Sequence, residues 1–449
     1  MTTLRSVRRT EDREILRLAG PAFLALVAEP MFLLADAAIV GHLGTPELAG
    51  LGVAAVVLQT VVGVCVFLAY GTTASVARRL GAGDRRGALA QGIDGLWLAV
   101  VIGIVATVAG IGLTGPLVAA FDAGPAVTEH ATTYLRIALL GTTPLLLMLA
   151  ATGVLRGLQD TRTPLAVAVG GNVLNVVLNL LLVYGAGPVA GLGLPGSALG
   201  SVLAQVASAA ALVAVVVRGA RREGASLRPH PPGIRAAGRA GVPLVVRTLT
   251  LRAALLVTTY AVTVGATDSS VDLATHQLAM TLWTFLAFVL DAIAIAAQAI
   301  TGRLLGAGDV AGTRAVTARM VRWGVGSGVV TGLLLAAASP FLGHLFTGDP
   351  AVRDALVPVL LVAALGQPVA GVVFVLDGVL IGAGDGRYLA LGGLLTLAAY
   401  APVVLAVVLA VDGAGLVAVW VSFAFLFMGA RFVVLTRRAR GDAWLVTGA

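Results

Sequence analysis

Two stretches of the chain recur at one fixed separation. Arg79-Leu80-Gly81-Ala82-Gly83-Asp84 returns as Leu304-Leu305-Gly306-Ala307-Gly308-Asp309, and Gly153-Val154-Leu155-Arg156-Gly157-Leu158-Gln159-Asp160 returns as Gly378-Val379-Leu380-Ile381-Gly382-Ala383-Gly384-Asp385. Asp84 and Asp309 stand 225 positions apart, as do Asp160 and Asp385, and Leu48-Ala49 meets Leu273-Ala274 at the same separation. Unrelated coincidences would not share one spacing, so the chain is read as a duplication whose halves carry the same helices in the same order. Parallel and inverted repeats of this kind build many secondary transporters.

What the repeated unit is made of follows from its solvent. Of 449 residues 58% are hydrophobic and only 12% charged, with a mean hydropathy of +0.98. A water-soluble core cannot hide that much apolar surface, so lipid is the expected solvent. Segments such as 96–118 are almost free of charge and long enough to cross a hydrocarbon layer of ~30 Å as helix. Twelve spans are expected, near 14–40, 46–72, 88–116, 126–150, 163–185, 194–217, 241–266, 271–301, 313–340, 353–382, 386–410 and 413–436. The basic start followed by an apolar run is kept as the first span and not a signal peptide, because Glu29 and Asp36 interrupt it and no small-residue cleavage site follows. Cys65, the only cysteine, lies in an apolar span and is read as packing.

The formal net charge is +8, and all thirty basic residues are arginine. Most fall in every second loop, among them Arg78, Arg79, Arg85 and Arg86, then Arg156 and Arg162, then Arg218 to Arg239, then Arg303 and Arg314, then Arg437 to Arg440. The opposite side receives Asp122, Glu129, Asp268, Asp272, Asp349 and Asp412, with Arg353 the main exception. By the positive-inside bias the arginine side is cytoplasmic, which puts both termini inside. The basic charge is thus an address and not a nucleic-acid site. The composition breaks once, at Arg218 to Arg239 with Pro229, Pro231 and Pro232, so the expected organisation is an N-terminal six-helix lobe (1–217), a cytoplasmic linker (218–240) and a C-terminal six-helix lobe (241–449). Six spans return the chain to its starting side, so the expected fold is all-α, integral to the membrane, with 12 transmembrane helices in two lobes related by a parallel repeat.

Ionisable residues at membrane depth are costly unless paired or hydrated, so those that persist are candidates for function. Glu29 and Asp36 stand seven apart in span one, about two turns, on one helix face. Pro30 between them removes a backbone donor, so the helix can bend there. Neutralising a carboxyl on such a helix changes which packing is preferred, the behaviour of a proton switch. Asn172, Asn175 and Asn179 in span five form a stripe of amides, joined by Ser197 and Ser201 from span six. Amides can hydrogen-bond Asp36 in either protonation state, supply oxygens to a small cation, or simply glue helices together. The second lobe carries Arg247, Asp291, Gln298 and Asp377, read as mutually neutralising ballast, with a second relay as the alternative. Asp36 maps near apolar Ala261 at the repeat spacing, so the lobes are chemically unequal. No enzyme or metal constellation is present: the five histidines are scattered, usual for caps and surface positions, and HExxH and GxSxG are absent. No cofactor is expected.

At these residues the chain resembles the multidrug and toxic compound extrusion (MATE) family, in particular its DinF-like branch. The resemblance rests on Glu29-Pro30 through Asp36-Ala37-Ala38-Ile39-Val40-Gly41-His42-Leu43-Gly44, on Gly153 through Asp160-Thr161-Arg162-Thr163-Pro164, and on Asp291 to Gln298 with Asp377-Gly378-Val379-Leu380-Ile381-Gly382. It implies a V-shaped antiporter of the bacterial cytoplasmic membrane that exports lipophilic, often cationic, compounds in exchange for protons or sodium, with Asp36 as the ion-coupling aspartate and Glu29, Asn175 and Asn179 beside it. Asn172, Ser201 and Pro30 are the expected cavity residues. Family members often carry a second aspartate where Asn179 stands, and its absence here shifts the expectation from sodium to protons. The expected partners are the bilayer and small substrates, with no nucleic acid, and the expected state is a monomer. The competing reading within membrane transport is a flippase for lipid-linked precursors, which needs cavity arginines to hold pyrophosphate; Arg247 and Arg252 are the candidates.

Overall fold

Long apolar runs bounded by Gly, Pro and charged turns fold as helices because the helix is the one form in which a single segment in hydrocarbon satisfies its own backbone polar groups. The computed structural model describes residues 2–186, 189–265, 269–410 and 415–448; Asp268 and Asp412 of the expected acidic side lie outside them. Among the described residues twelve helices are long and apolar enough to cross a membrane. They are α1 (Glu11–Gly41, the apolar part of a helix beginning at Thr2), α2 (Thr45–Gly81), α3 (Arg85–Ala119), α4 (Pro125–Gly157), α5 (Arg162–Tyr184) and α6 (Leu194–Arg222). The second half continues with α7 (Pro231–Gly265), α8 (Ser270–Gly306), α9 (Val310–Phe346), α10 (Pro350–Gly382), α11 (Gly386–Ala410) and α12 (Gly415–Arg440). α4 contains a 3-10 turn at Leu139–Gly141, and α12 a π-helical stretch at Ser422–Phe427. The one departure from an all-helical fold among the described residues is a two-residue antiparallel ladder, Gly185–Ala186 with Val189–Ala190, between α5 and α6.

The helices outrun several expected spans because their charged ends continue the coil beyond the apolar part. α6 runs through Arg221 and Arg222, whose positive charge suits a helix C-terminus, and α7 opens on Pro231 and Pro232, where a missing N–H costs nothing. The irregular connection is therefore 223–230, shorter than the expected 218–240. It is held to α3, whose Trp97 Nε1 donates to the Leu227 carbonyl (3.1 Å) and whose Asp94 stands 3.7 Å from His230.

Contacts divide the chain into two compact units, Leu24–Gly241 and Met1–Phe23 with Val242–Gly448. The first residues of the chain thus group with the second half. Asp12 accepts from Arg319, through Nε at 2.7 Å, and from Trp323 Nε1 at 2.8 Å, and Glu14 accepts from Arg303 at 2.6 Å. Ile15 and Leu18 of the same segment are buried.

Inside each unit the repeated sequence makes the same contacts. In Leu24–Gly241, α4 lies against α2 at two glycines: a Cβ on Gly153 would come within 2.6 Å of the Ala69 carbonyl oxygen, and one on Gly157 within 2.9 Å of the Thr73 carbonyl oxygen. In the other unit Gly378 and Gly382 of α10 meet the Ala294 and Gln298 carbonyls of α8 so closely that any side chain would collide. All four partners are displaced by the same 225 positions. Small residues let membrane helices approach to backbone contact, where dispersion replaces the missing hydrophobic drive. The turns repeat too. Asp84 and Asp309 each cap the following helix by accepting a backbone N–H, from Gly87 and Gly312, at 2.7 Å, after glycines at φ 78° and 76°.

Candidate functional site

Asp36 sits in α1 six residues beyond Pro30 and is buried, with 3% of its surface exposed. The helices of Leu24–Gly241 aim donors at it from three directions. Asn179 of α5 donates through Nδ2 to Oδ1. Tyr134 of α4 donates to Oδ2 at 3.4 Å, and Ser197 and Ser201 of α6 stand at 3.4 and 3.5 Å. The last three are at the outer limit of hydrogen bonding and weak individually. Asn175 extends the cluster: its Nδ2 donates to Ser201 Oγ at 3.0 Å, and its Oδ1 lies 3.4 Å from Asn179 Nδ2. Both asparagines are wholly buried. Among the described residues no arginine or histidine comes within ion-pair distance of Asp36. The carboxylate is therefore solvated by neutral dipoles alone, the costly condition for a buried ion, and a proton or a small cation relieves it.

The structure brings Asp36, Asn175, Asn179 and Ser201 together and leaves Asn172 and Glu29 apart from them. Asn172 stands seven residues before Asn179, about 10 Å along the helix, and donates instead to the Ala28 carbonyl at 2.6 Å. Tyr184, at the other end of α5, donates to the Ile39 carbonyl at 2.7 Å. α5 thus holds α1 on both sides of Pro30. Glu29 is exposed and makes no hydrogen bond or ion pair among the described residues. Tyr134 carries no signal in the sequence; nothing in its spacing separates it from an ordinary interfacial aromatic.

The second cluster lies in the unit formed by Met1–Phe23 and Val242–Gly448. Arg247 of α7 grips Asp377 of α10 with two N–H groups, Nε at 3.1 Å. Arg431 of α12 approaches the same carboxylate at 3.6 Å and is close enough to Asp291 to interact electrostatically. Arg431 completes two arginines against two acids, and sequence reasoning missed it because it precedes the basic tail by only a turn or two. It also lies over Phe427 at the end of the π-helical stretch, 5.9 Å from the ring centroid. Gln298 is buried on α8, where its carbonyl receives Gly382. His276, expected at a cap or surface, is buried and pairs with Thr259 at 3.2 Å.

No group of three or more His, Cys, Asp or Glu among the described residues converges to hold a metal ion. Any cation at Asp36 would be held by one carboxylate with amide and hydroxyl oxygens, ligands suited to a hard monovalent ion or a proton.

Comparison with known proteins agrees with the duplicated helical fold. The MatE family model matches twice in tandem, at residues 21–181 and 243–404, one copy per half. Protein DETOXIFICATION 44, chloroplastic, from Arabidopsis thaliana is 31% identical across 94% of this chain and 80% of its own length. The DNA damage-inducible protein F of Escherichia coli is 30% identical across 67% of this chain and 65% of its own. Among solved structures, the Vibrio cholerae MATE transporter VcmN in its bent form superposes with a TM-score of 0.87 at 19% identity, covering 98% of this chain and 99% of that one. A MOP superfamily transporter from Pyrococcus furiosus gives 0.86 at 20% identity, with 97% and 96% covered. The duplicated twelve-helix fold and the tandem family match together make this chain a multi-pass membrane transporter, not an enzyme, of the multidrug and toxic compound extrusion family.

Proposed function

We propose that the protein is a proton-coupled antiporter that exports lipophilic, often cationic, compounds from the cytoplasm, and that Asp36 is the group at which proton and substrate compete. The observation that supports this most is a buried carboxylate ringed by neutral donors with no counter-charge among the described residues. Asn179 is suited to read both states. Its Nδ2 donates to the ionised carboxylate, while its buried Oδ1 has no partner among the described residues; turning the amide over presents Oδ1 to a protonated carboxyl, which then donates. Ionised Asp36 favours a cationic substrate from inside, and a proton from outside displaces it. Because α5 holds α1 below and above Pro30, the exchange at Asp36 acts on a helix already missing one backbone bond. Exchange of one proton for a monovalent cation moves no net charge and is driven by the pH gradient, whereas exchange for a neutral compound moves one charge inward and gains about 2.3 kcal/mol per 100 mV of membrane potential as well.

On this reading the protein acts as a monomer in the cytoplasmic membrane of a bacterium, with its termini and arginine-rich loops inside. The flippase reading loses support where Arg247, its main pyrophosphate candidate, is engaged by Asp377. The test is transport of a fluorescent cation by proteoliposomes with pH and sodium gradients imposed separately. Efflux driven by the pH gradient alone is expected; a response to sodium alone would move the coupling ion from proton to sodium.

A further inference from the structure

In the unit formed by Met1–Phe23 and Val242–Gly448, a groove of about 580 Å³ runs between α9 and α12, with Val372 and Leu376 of α10 as its floor. One stripe on each helix builds its walls: Arg314, Ala318 and Arg322 on α9, and Phe432 and Arg440 on α12, spacings of four and eight that share a helix face. Three guanidinium groups therefore border a channel that is otherwise largely apolar. Arg314 has an acidic partner, the exposed Asp442. Arg322 and Arg440 make no ion pair among the described residues; Arg322 donates through Nε to its own helix, at the Ala318 carbonyl (3.2 Å), and senses Asp12, which Arg319 and Trp323 already hold.

Two further groups are left without partners there. The hydroxyls of Thr317 and Thr436, both in the groove lining, are buried and make no hydrogen bond among the described residues. Thr313 and Thr331 on the same helix as Thr317 donate to the carbonyl four residues back, at 2.7 and 2.8 Å. Arg322 also lies about 12 Å farther along the span than Arg314, yet is exposed. An exposed arginine that deep extends its stem along apolar surface and needs an anion or water at its tip.

We infer that this groove binds one anionic phospholipid. Its phosphate is held by Arg314, Arg322 and Arg440, and an acyl chain lies along Ala318, Val372, Leu376 and Phe432. Basic pockets between helices on the positively charged side of a membrane protein have the chemistry for such headgroups, and the apolar floor distinguishes a lipid from a free anion. The site is separate from Asp36 and does not depend on how transport is coupled.

Native mass spectrometry of the detergent-purified protein, offered equal phosphatidylglycerol and phosphatidylcholine, tests this. The wild type should retain one phosphatidylglycerol in preference. R322Q/R440Q should lower that retention by about tenfold. A318F, which keeps every charge but fills the groove, should lower it as well, while Arg221→Gln should leave it unchanged. If R322Q/R440Q does not fold, A318F decides alone. Equal retention of both lipids by the wild type, unchanged retention in A318F, or displacement of the lipid by excess inorganic phosphate would overturn the assignment.

Discussion

At the scale of single residues, the proposed coupling turns on what surrounds one carboxyl. Asn179 gives Asp36 a neutral partner where a second carboxylate would demand a shared proton or a bound cation. Asn179→Asp should therefore make efflux respond to a sodium gradient that leaves the wild type idle, as measured in proteoliposomes. Tyr134→Phe removes one donor at 3.4 Å, and because that bond is long, pH-driven efflux should fall severalfold at most. Much of this site was legible in the sequence, since a charge inside an apolar span is too costly to persist without a role, and amides at helical spacing must share one face. Asp36, Asn175 and Asn179 follow from those two rules, and Ser197 and Ser201 only as serines that can complete the cluster. Asn172 was grouped with them because spacing records a shared stripe but not depth: its amide meets Ala28 instead. Tyr134 and Arg431 carried no such signal, one resembling any interfacial aromatic and the other any residue of a basic tail.

At the scale of elements, close approach between helices is what the repeats preserve. Gly378 leaves no room for a side chain against Ala294, so Gly378→Leu should destabilise the protein by at least about 2 kcal/mol, read as a lower unfolding temperature in detergent. The spacing of Gly153 and Gly378 was visible in the sequence; that they seat α4 on α2 and α10 on α8 was not, because a repeat reveals equivalence and not partners. Arg247 and Asp377 illustrate a different stabilisation. Removing Arg247 leaves the largely buried Asp377 only the more distant Arg431, at 3.6 Å, so Arg247→Ala should cost up to about 3 kcal/mol, checked by the same thermal measurement. Helix ends were the least legible feature, since α6 and α7 carry arginines and prolines that hydropathy reads as loop.

At the scale of the whole molecule, a duplicated scaffold carries unequal chemistry. Among the described residues one half presents Asp36 with neutral partners alone, and the other sets Arg247 and Arg431 against Asp377. The scaffold was readable from the fixed separation of the repeats and from apolar length, and the tandem family match agrees with it. Its proposed orientation rests on the arginines. With Cys65→Ser as background, a cysteine at Ala82 should react with a membrane-impermeant maleimide only from the cytoplasmic side, and one at Thr347 only from outside; the reverse would invert the topology. Proton coupling is tested most directly by Asp36→Asn, reconstituted beside the wild type with an imposed pH gradient and a fluorescent cationic substrate. The variant should fold, bind the cationic reporter more weakly and show no pH-driven efflux, whereas efflux at the wild-type rate would contradict a coupling role for Asp36.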